Sequence, residues 1–162
     1  MPISSYAVAI GSNRRHHRHG APDRVVTGAI EALAGLGQVE AQSRTIQTPA
    51  LGPAGRSFAN AAVILSTALT PPALLSSLKQ IERAFGRRRG RRWGARVLDL
   101  DIVLWSEGSW SDRQLTVPHR EFRNRRFVLA PLAEIAPGWR DPVTRRSVRQ
   151  LLHAVDRRPP RP

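Results

Sequence analysis

The sequence predicts an α+β fold in which two helices back an antiparallel sheet. Two segments repeat apolar residues at helical spacing, and four segments show the apolar runs or alternation that are typical of strands. These elements follow one another in the order β-α-β-β-α-β, which is the order of the ferredoxin-like arrangement. We expect two further short helices after the last strand.

The first strand and helix are predicted near the amino terminus. The apolar run Tyr6–Ile10 is followed by Gly11-Ser12-Asn13, the pattern of a buried strand that enters a turn. A wholly polar loop over residues 14–20 comes next. Pro22 then opens a helix that ends at Gly35. Its core-facing residues are Val26, Ile30 and Leu33.

Two more strands are predicted in the next segment. The stretch Val39–Thr48 alternates weakly, and Ser57–Thr67 contains a run of β-branched and apolar residues. A segment rich in proline and glycine, Pro49–Gly55, joins them as a long loop.

The second helix has the clearest sequence pattern. Thr70 is a suitable N-cap, Pro71 suits the first helical position, and Gly86 follows the last apolar residue. The apolar residues at helical spacing are Leu74, Leu75, Leu78, Ile81 and Phe85. After an arginine-rich loop, the strongly alternating segment Val97–Trp105 predicts the fourth strand.

The carboxyl-terminal part completes a single domain. Short helices are predicted over Val128–Ala136 and Ser147–Val155. We expect one domain over residues 1–156 and a disordered tail over residues 157–162.

The composition excludes several classes of protein. Hydrophobic residues make up 41% and charged residues 23% of the 162 residues, which is typical of a globular chain. The absence of cysteine excludes disulfides, cysteine-ligated zinc and a cysteine nucleophile. It favours a cytoplasmic protein. The start of the chain lacks the features of a secretory signal, so we expect no export. Polar residues and prolines interrupt the uncharged stretch between Arg56 and Lys79, so we expect no membrane span.

The charge balance indicates a polyanionic partner. There are 26 basic and 12 acidic residues, which give a formal net charge of +14. Nucleotides and nucleic acids are both candidates. All the basic residues except Lys79 are arginine, which fits either bidentate phosphate contacts or a GC-rich genome.

Two aspartates stand on one predicted strand. Alternation places Leu98, Leu100, Ile102 and Leu104 on one face, and Asp99 with Asp101 on the other. Residues two apart in a strand are about 6.5 Å apart at Cα, so the carboxylates can converge on one site. Magnesium suits such a pair. From the residues alone, an ion pair of either aspartate with a strand-edge arginine is equally compatible.

A basic loop runs directly into this strand. The segment Gly86–Arg96 contains six arginines together with Trp93, and its glycines allow it to close over a polyphosphate. Taken alone, the same composition fits a solvated linker or a nonspecific nucleic-acid contact.

Five short motifs follow one another along the chain. They are residues 48–53 (TPALGP), 58–60 (FAN), Gly86-Arg87 with 92–101 (RWGARVLDLD), 117–119 (VPH) and 125–129 (RRFVL). In these motifs, and in order over nearly the whole chain, the sequence resembles the hydroxymethyl-dihydropterin pyrophosphokinases of folate biosynthesis.

This resemblance implies a monomeric kinase with the ferredoxin-like fold. Such enzymes use two Mg²⁺ ions to transfer the terminal diphosphate of ATP to the hydroxymethyl group of a reduced pterin, with release of AMP. The resemblance implies that Asp99 and Asp101 hold both metal ions, and that Arg87 and Arg96 contact the phosphates. These four are the candidate catalytic residues.

The resemblance also implies the residues of two binding sites. The candidate ATP-binding residues are Glu82, Arg87, Arg92, Trp93, Arg96, Ile102, Thr116, His119 and Arg125. The candidate pterin-binding residues are Thr48, Leu51, Phe58, Asn60, Trp93 and Phe127. Arg92 and Trp93 match a mobile lid over the site.

The residues themselves leave alternatives open. Phe58 and Asn60 lie on one strand face, where they could stack on a bicyclic ring and pair with its amide edge. Without the resemblance, Phe58 and Phe127 would be taken as core residues, and Asn60 as a side chain bonded to nearby backbone. His119 has a fixed approach direction after Pro118, but a lone histidine in a turn is more often structural.

Two function classes are compatible with the charge and the predicted topology. A pyrophosphokinase would bring the substrate hydroxyl in line with the β-phosphorus of ATP, with no protein base evident. A ferredoxin-like nucleic-acid-binding module would share the charge and topology. Its phosphate backbone would be repelled by the acidic pair, so we expect no specific nucleic-acid partner.

Overall fold

A computed structural model of the chain describes residues 2–13, 22–48, 58–87 and 97–159. Its elements are β1 (Ser4–Asn13), α1 (Pro22–Ala34), β2 (Gln38–Gln42), β3 (Ile46–Thr48), β4 (Phe58–Thr67), α2 (Pro71–Arg87), β5 (Leu98–Trp105), β6 (Trp110–Ser111), β7 (Thr116–Val117), a 3-10 helix (Phe122–Asn124), α3 (Arg126–Ile135) and α4 (Val148–Asp156).

The main sheet is antiparallel throughout. Its strands are ordered β2-β4-β1-β5, and β3 pairs with β4 beside β2. If β2 and β3 are taken together as one strand position, the described elements have the ferredoxin-like topology. The predicted α+β class is therefore confirmed. Strand β5, which carries the two aspartates, lies at the edge of this sheet.

Helices cover the two faces of the sheet differently. On one face, α1 and α2 bury large side chains of β1 such as Tyr6, Val8 and Ile10. On the other face, Ala7 and Ala9 pack with residues of α3 and α4. The small alanines let helices approach this face closely. Beyond Ala9, the same face carries the candidate site.

A bulge in β5 changes which side chains share a face. Ala7 pairs with Leu104, but the next residue, Val8, pairs with Ile102, so Val103 is the extra residue. Leu98, Leu100 and Ile102 lie in the core under α1 and α2, whereas Leu104 lies in the core under α3 and α4. The prediction that Leu104 shares the face of the other three is wrong, because simple alternation does not include a bulge.

The segment predicted as one strand over Val39–Thr48 is two strands. Ser43 interrupts it: its N–H donates to the Ala62 carbonyl at 2.9 Å, and its hydroxyl oxygen accepts from the Ala62 N–H at 2.9 Å. A side-chain oxygen thus replaces the main-chain acceptor of the ladder. The register with β4 also shifts between Val39 and Ala41.

The β6–β7 hairpin was not predicted from the sequence. Its connecting residues are held by Asp112, whose carboxylate accepts from the Trp110 indole and from the backbone N–H groups of Gln114 and Leu115. The hydrogen bond from Trp110 is the main cause of a lowered pKa for Asp112. The hairpin leads the chain through Thr116 towards His119.

The helix ends differ slightly from the sequence prediction. Helix α2 continues through Gly86 to Arg87, and α3 begins at Arg126 rather than at Val128. Ser147 is the N-cap of α4 in a reciprocal capping box with Gln150. No helix in the described part of the chain is long and apolar enough to cross a membrane.

The predicted tail lies partly within the described residues. Arg157 donates from its N–H to the carbonyl of His153, and Arg158 donates to the side chain of Asn124 at 2.9 Å. Residues 160–162 lie outside the described residues, so the disordered tail over 157–162 and the single domain over 1–156 stay predictions.

A buried ion pair links the 3-10 helix to the turn before α4. Asp141 is fully buried and accepts from Arg123 at 2.5 and 2.9 Å, from the Thr144 hydroxyl and from the Val143 N–H. Burial alone raises the pKa of Asp141, but the hydrogen bonds from Arg123, Thr144 and Val143 outweigh it and lower the pKa from 3.8 to about 2.

This ion pair predicts an acid-dependent loss of stability. Because the folded-state pKa lies below the unfolded one, the contribution is complete above about pH 4 and is lost as the pH falls towards about 2. We expect Asp141 to account for about 2 kcal/mol of the free energy of unfolding over that range. Urea unfolding between these pH values measures it.

The control for this prediction is the exposed carboxylate of Asp156. Asp141→Asn is expected to flatten the pH dependence, whereas Asp156→Asn is expected to leave it close to that of the parent. An unchanged pH dependence in Asp141→Asn would contradict the assignment.

Candidate active site

The two aspartates lie on the solvent-facing side of the edge strand. Asp99 pairs with Gly11 of β1 and Asp101 with Ala9, and both face away from the core under α1 and α2. The side chain of Asp101 is 48% exposed. Both carboxylates are therefore open to a cation that approaches from solvent.

His119 lies beside this acidic pair. It follows the cis Val117–Pro118 bond, and its N–H donates to the Val103 carbonyl at 3.0 Å. The ring Nδ1 accepts from the Glu121 N–H at 3.1 Å, and Nε2 is 4.0 Å from Asp101 Oδ1. Because Nδ1 is an acceptor, the neutral ring carries its proton on Nε2 and presents it to Asp101.

The acidic pair fits a magnesium ion. No group of three or more His, Asp or Glu side chains in residues 2–13, 22–48, 58–87 and 97–159 could hold a metal on its own. Magnesium in phosphoryl-transfer sites is usually held by one or two carboxylates, with water and substrate phosphates completing the shell. Asp99 and Asp101 supply such a partial set of hard oxygen ligands.

Gly11 lies on the sheet between the acidic pair and Asn60. It lies inside β1 rather than in the predicted turn, with Asp99 opposite on one side and Asn60 on the other. A Cβ atom at position 11 would come within 3.3 Å of Asn60 Oδ1. Sequence reasoning missed Gly11, although a glycine within a strand pattern is a known sign of close approach.

Asn60 is a buried polar side chain in an apolar strand. It is 7% exposed, and its amide has no hydrogen-bond partner among the described residues. The alternative in which nearby backbone satisfies it is therefore not supported by the described part of the chain. Leaving such a group unpaired costs about 1–3 kcal/mol. A ligand with a donor and an acceptor edge would offset that cost.

Phe58 and Phe127 are exposed rather than in the core. Their exposures are 43% and 47%, so the default expectation that both are core residues is wrong. Phe58 shares the face of Asn60, since it is two residues earlier on β4 and opposite Asn13. The guanidinium carbon of Arg125 lies 5.7 Å from the centre of the Phe127 ring.

Three other candidates take positions around β5. Glu82 on α2 accepts from the Leu100 N–H at 2.8 Å and so holds the edge strand between the two aspartates. Ile102 is 2% exposed in the core, so contact with a ligand would have to come from its main chain. Thr116 lies on β7, in the segment that leads to His119.

The remaining candidates lie outside the described residues. They are Leu51, Arg92, Trp93 and Arg96, together with the side chains of Thr48 and Arg87. The polar loop over 14–20 and most of the arginine-rich loop are also outside. The roles of all these residues stay predictions.

Comparison with known proteins identifies the family. The family model described as 7,8-dihydro-6-hydroxymethylpterin-pyrophosphokinase (HPPK) matches residues 7–137. The chain is 47% identical over 135 residues to a Methylorubrum extorquens protein, and the aligned region covers 82% of this chain and 84% of that protein. It is 41% identical over 131 residues to a Synechocystis protein, and the aligned region covers 80% of this chain and 67% of that protein. Both relatives are named 2-amino-4-hydroxy-6-hydroxymethyldihydropteridine pyrophosphokinase.

Solved structures support the fold. Wild-type Plasmodium falciparum HPPK-DHPS matches with a TM-score of 0.69 at 12% identity, over 94% of this chain and 45% of that one. An HPPK-DHPS in complex with substrates matches with a TM-score of 0.70 at 12% identity, over 95% and 43%. The chain thus spans less than half of these longer proteins.

These matches decide between the two function classes. The prediction of an enzyme, a pyrophosphokinase of folate biosynthesis, is confirmed by the family and by the names of the relatives. The alternative of a nucleic-acid-binding module is not supported. The chain belongs to the 7,8-dihydro-6-hydroxymethylpterin-pyrophosphokinase family.

Proposed function

We propose that this chain transfers the terminal diphosphate of ATP to the hydroxymethyl group of 6-hydroxymethyl-7,8-dihydropterin and releases AMP. The observation that carries the proposal is the buried Asn60 amide, which has no partner in the described part of the chain and lies across Gly11 from the acidic pair. One sheet face therefore offers an amide-pairing site and a cation site side by side.

The acidic end of this face suits the polyphosphate. Asp99 and Asp101 would hold two Mg²⁺ ions, which supply charge neutralisation on the phosphate oxygens and lower the pKa of the attacking hydroxyl. His119 presents an Nε2–H group beside Asp101, so it can donate a hydrogen bond to a phosphate oxygen. Arg87 and Arg96 are the proposed phosphate-contacting arginines of the family pattern, and Arg92 and Arg125 belong to the proposed ATP-binding site.

The other end suits the pterin ring. Asn60 has both a donor and an acceptor, which match the amide edge of the bicyclic ring, and Phe58 has an exposed aromatic face for stacking. Thr48, Leu51, Trp93 and Phe127 complete the proposed pocket. Asp99 and Asn60 are two strand spacings apart, about 10 Å, which leaves room for the hydroxymethyl group to reach the β-phosphorus.

The proposed reaction depends on positioning. The hydroxymethyl oxygen forms a bond to the β-phosphorus as the bond from that phosphorus to the oxygen of the α-phosphate breaks, so AMP leaves in line. The hydroxyl proton passes to solvent. Since Nδ1 of His119 is already an acceptor and Nε2 carries the proton, His119 is a donor rather than a base. The described residues thus favour alignment over general-base catalysis.

Family membership implies ATP and hydroxymethyldihydropterin as substrates. We further propose that the chain acts as a monomer in the cytoplasm and has no specific nucleic-acid partner. The absence of cysteine from the sequence favours the location, and the acidic pair on the open sheet face disfavours a phosphate backbone there.

Release of AMP tests the proposed function. With Mg²⁺ and ATP, AMP is expected to form only when 6-hydroxymethyl-7,8-dihydropterin is added, in equal amount to the diphosphorylated pterin. The matched control is 6-methyl-7,8-dihydropterin, which lacks the accepting hydroxyl and should release no AMP. Formation of ADP, or AMP release that is independent of the pterin, would contradict the proposal.

A further inference from the structure

The segment 119–127 carries three of the proposed site residues, His119, Arg125 and Phe127. Its internal hydrogen bonds are local: the Phe122 N–H donates to the His119 carbonyl at 3.4 Å, the Arg125 N–H to the Phe122 carbonyl at 3.3 Å, the Asn124 N–H to the Glu121 carbonyl at 3.1 Å, and the Glu121 N–H to His119 Nδ1 at 3.1 Å. They span a single 3-10 turn and its approach, and two of them are long. Local bonds of this kind shape the turn but do not fix its position relative to the sheet, which depends on contacts with other parts of the chain.

Three side-chain contacts connect this segment to the last part of the chain. Arg123 pairs with the buried Asp141, Asn124 accepts from Arg158 at 2.9 Å, and Arg126 pairs with Asp156 at 2.8 Å. We refer to these three contacts as the C-terminal clasp. All three partners lie beyond residue 137, where the match to the family model ends.

The clasp is built around a rigid centre. Phe122 is fully buried in the core under α3 and α4, and the Arg123 guanidinium lies 4.9 Å from the centre of its ring. The same guanidinium forms two parallel hydrogen bonds with Asp141, a geometry that fixes both distance and orientation. Asp141 is in turn held by the Val143 N–H and the Thr144 hydroxyl.

We propose that the C-terminal clasp positions the segment 119–127 for substrate binding, and that Arg123, Asp141 and Asp156 are positioning residues of the reaction. The inference rests on the proposed function, because it takes His119, Arg125 and Phe127 as substrate contacts. Loss of the clasp lowers the fraction of molecules whose segment is ready to bind, and the apparent affinity falls by the same factor. Saturating substrates restore the bound conformation, so KM rises while kcat changes little.

Asp141→Asn is the first test, since it keeps the side-chain volume but turns an amide NH₂ group towards the Arg123 fork. Steady-state kinetics well below the melting temperature should give KM values for ATP and pterin that are raised about tenfold, with kcat within about twofold of the parent. The matched control is Arg44→Gln, which breaks another ion pair to α3, that of Arg44 with Glu134. It should leave both KM values unchanged.

The exposed part of the clasp gives a second test that does not disturb the core. Arg126→Asp should raise the KM values about threefold, and the swap Arg126→Asp with Asp156→Arg should restore them, because the ion pair is rebuilt with reversed polarity. If Asp141→Asn does not fold, the KM values of Arg126→Asp and of the charge swap decide whether the clasp positions the segment. KM values within twofold of the parent in the folded clasp variants would overturn the proposal and leave the clasp purely structural.

Hydrogen exchange separates failure of the clasp from failure of the proposed function. If the parent chain releases no pterin-dependent AMP, the proposed function fails, and the clasp is then judged on the amides of residues 119–127. Faster exchange there in the clasp variants, with unchanged exchange in Arg44→Gln, supports positioning. Equal exchange in all variants overturns it.

Discussion

Replacing either aspartate of the acidic pair by asparagine is expected to lower kcat/KM by about a thousandfold or more. The proposed ions lose a charged ligand, and several kcal/mol of transition-state stabilisation are lost with it. The fold should be retained or slightly stabilised, because removing one of two neighbouring like charges relieves repulsion. Asp99→Asn and Asp101→Asn are to be assayed for AMP release at saturating Mg²⁺ and followed by thermal melting.

The control for the acidic pair is Glu31→Gln. Glu31 is an exposed carboxylate on α1, which packs on the opposite face of the sheet. It should retain parental turnover. If Asp99→Asn or Asp101→Asn kept parental turnover at saturating Mg²⁺, the metal assignment would be wrong.

Asn60→Leu is expected to raise KM for the pterin about a hundredfold while the affinity for Mg²⁺-ATP stays within about twofold. The leucine removes both hydrogen bonds to the amide edge of the ring, and each is worth about 1.5 kcal/mol in a closed site. Stability should not fall, since a buried amide that has no partner among the described residues is replaced by an apolar group of similar size. Separate titrations of the two substrates, with thermal melting, check both statements.

Gly11→Ala is also expected to raise KM for the pterin, but by less than Asn60→Leu does. Its methyl group would force the Asn60 carbonyl oxygen to move by a few tenths of an ångström, so only the pterin affinity should suffer. Gly138→Ala is the control, because a Cβ atom there meets nothing within 4 Å. If Asn60→Leu lowered the affinity for ATP as much as the affinity for the pterin, the division of the site into a phosphate end and a pterin end would be contradicted.

Most of the fold follows from local patterns in the sequence. Helix α2 was predictable because Pro71, the apolar stripe and the nearby glycine all indicate the same boundaries. The acidic face of β5 was predictable because alternation holds from Leu98 to Ile102. These features depend on neighbours in sequence, which periodicity reports directly.

Features that depend on distant contacts could not be predicted from periodicity. The bulge at Val103 and the break at Ser43 arise from pairing with β1 and β4, so alternation alone misplaced Leu104 and merged two strands. The exposure of Phe58 and Phe127 depends on how α3 packs against β4, two elements that are distant in sequence. The importance of Gly11 appears only when Asn60 is placed opposite it.

The most direct test is the NMR line width of the pterin hydroxymethyl protons in a complex with Mn²⁺ in place of Mg²⁺ and a nonhydrolysable ATP analogue. The account predicts strong paramagnetic broadening when protein, analogue and Mn²⁺ are all present, and its loss in Asp101→Asn. It also predicts broadening of the Gly11 amide, which lies between the two ends of the site. Bound pterin whose protons remain sharp in the complete complex would contradict the claim that this sheet face brings the two substrates together.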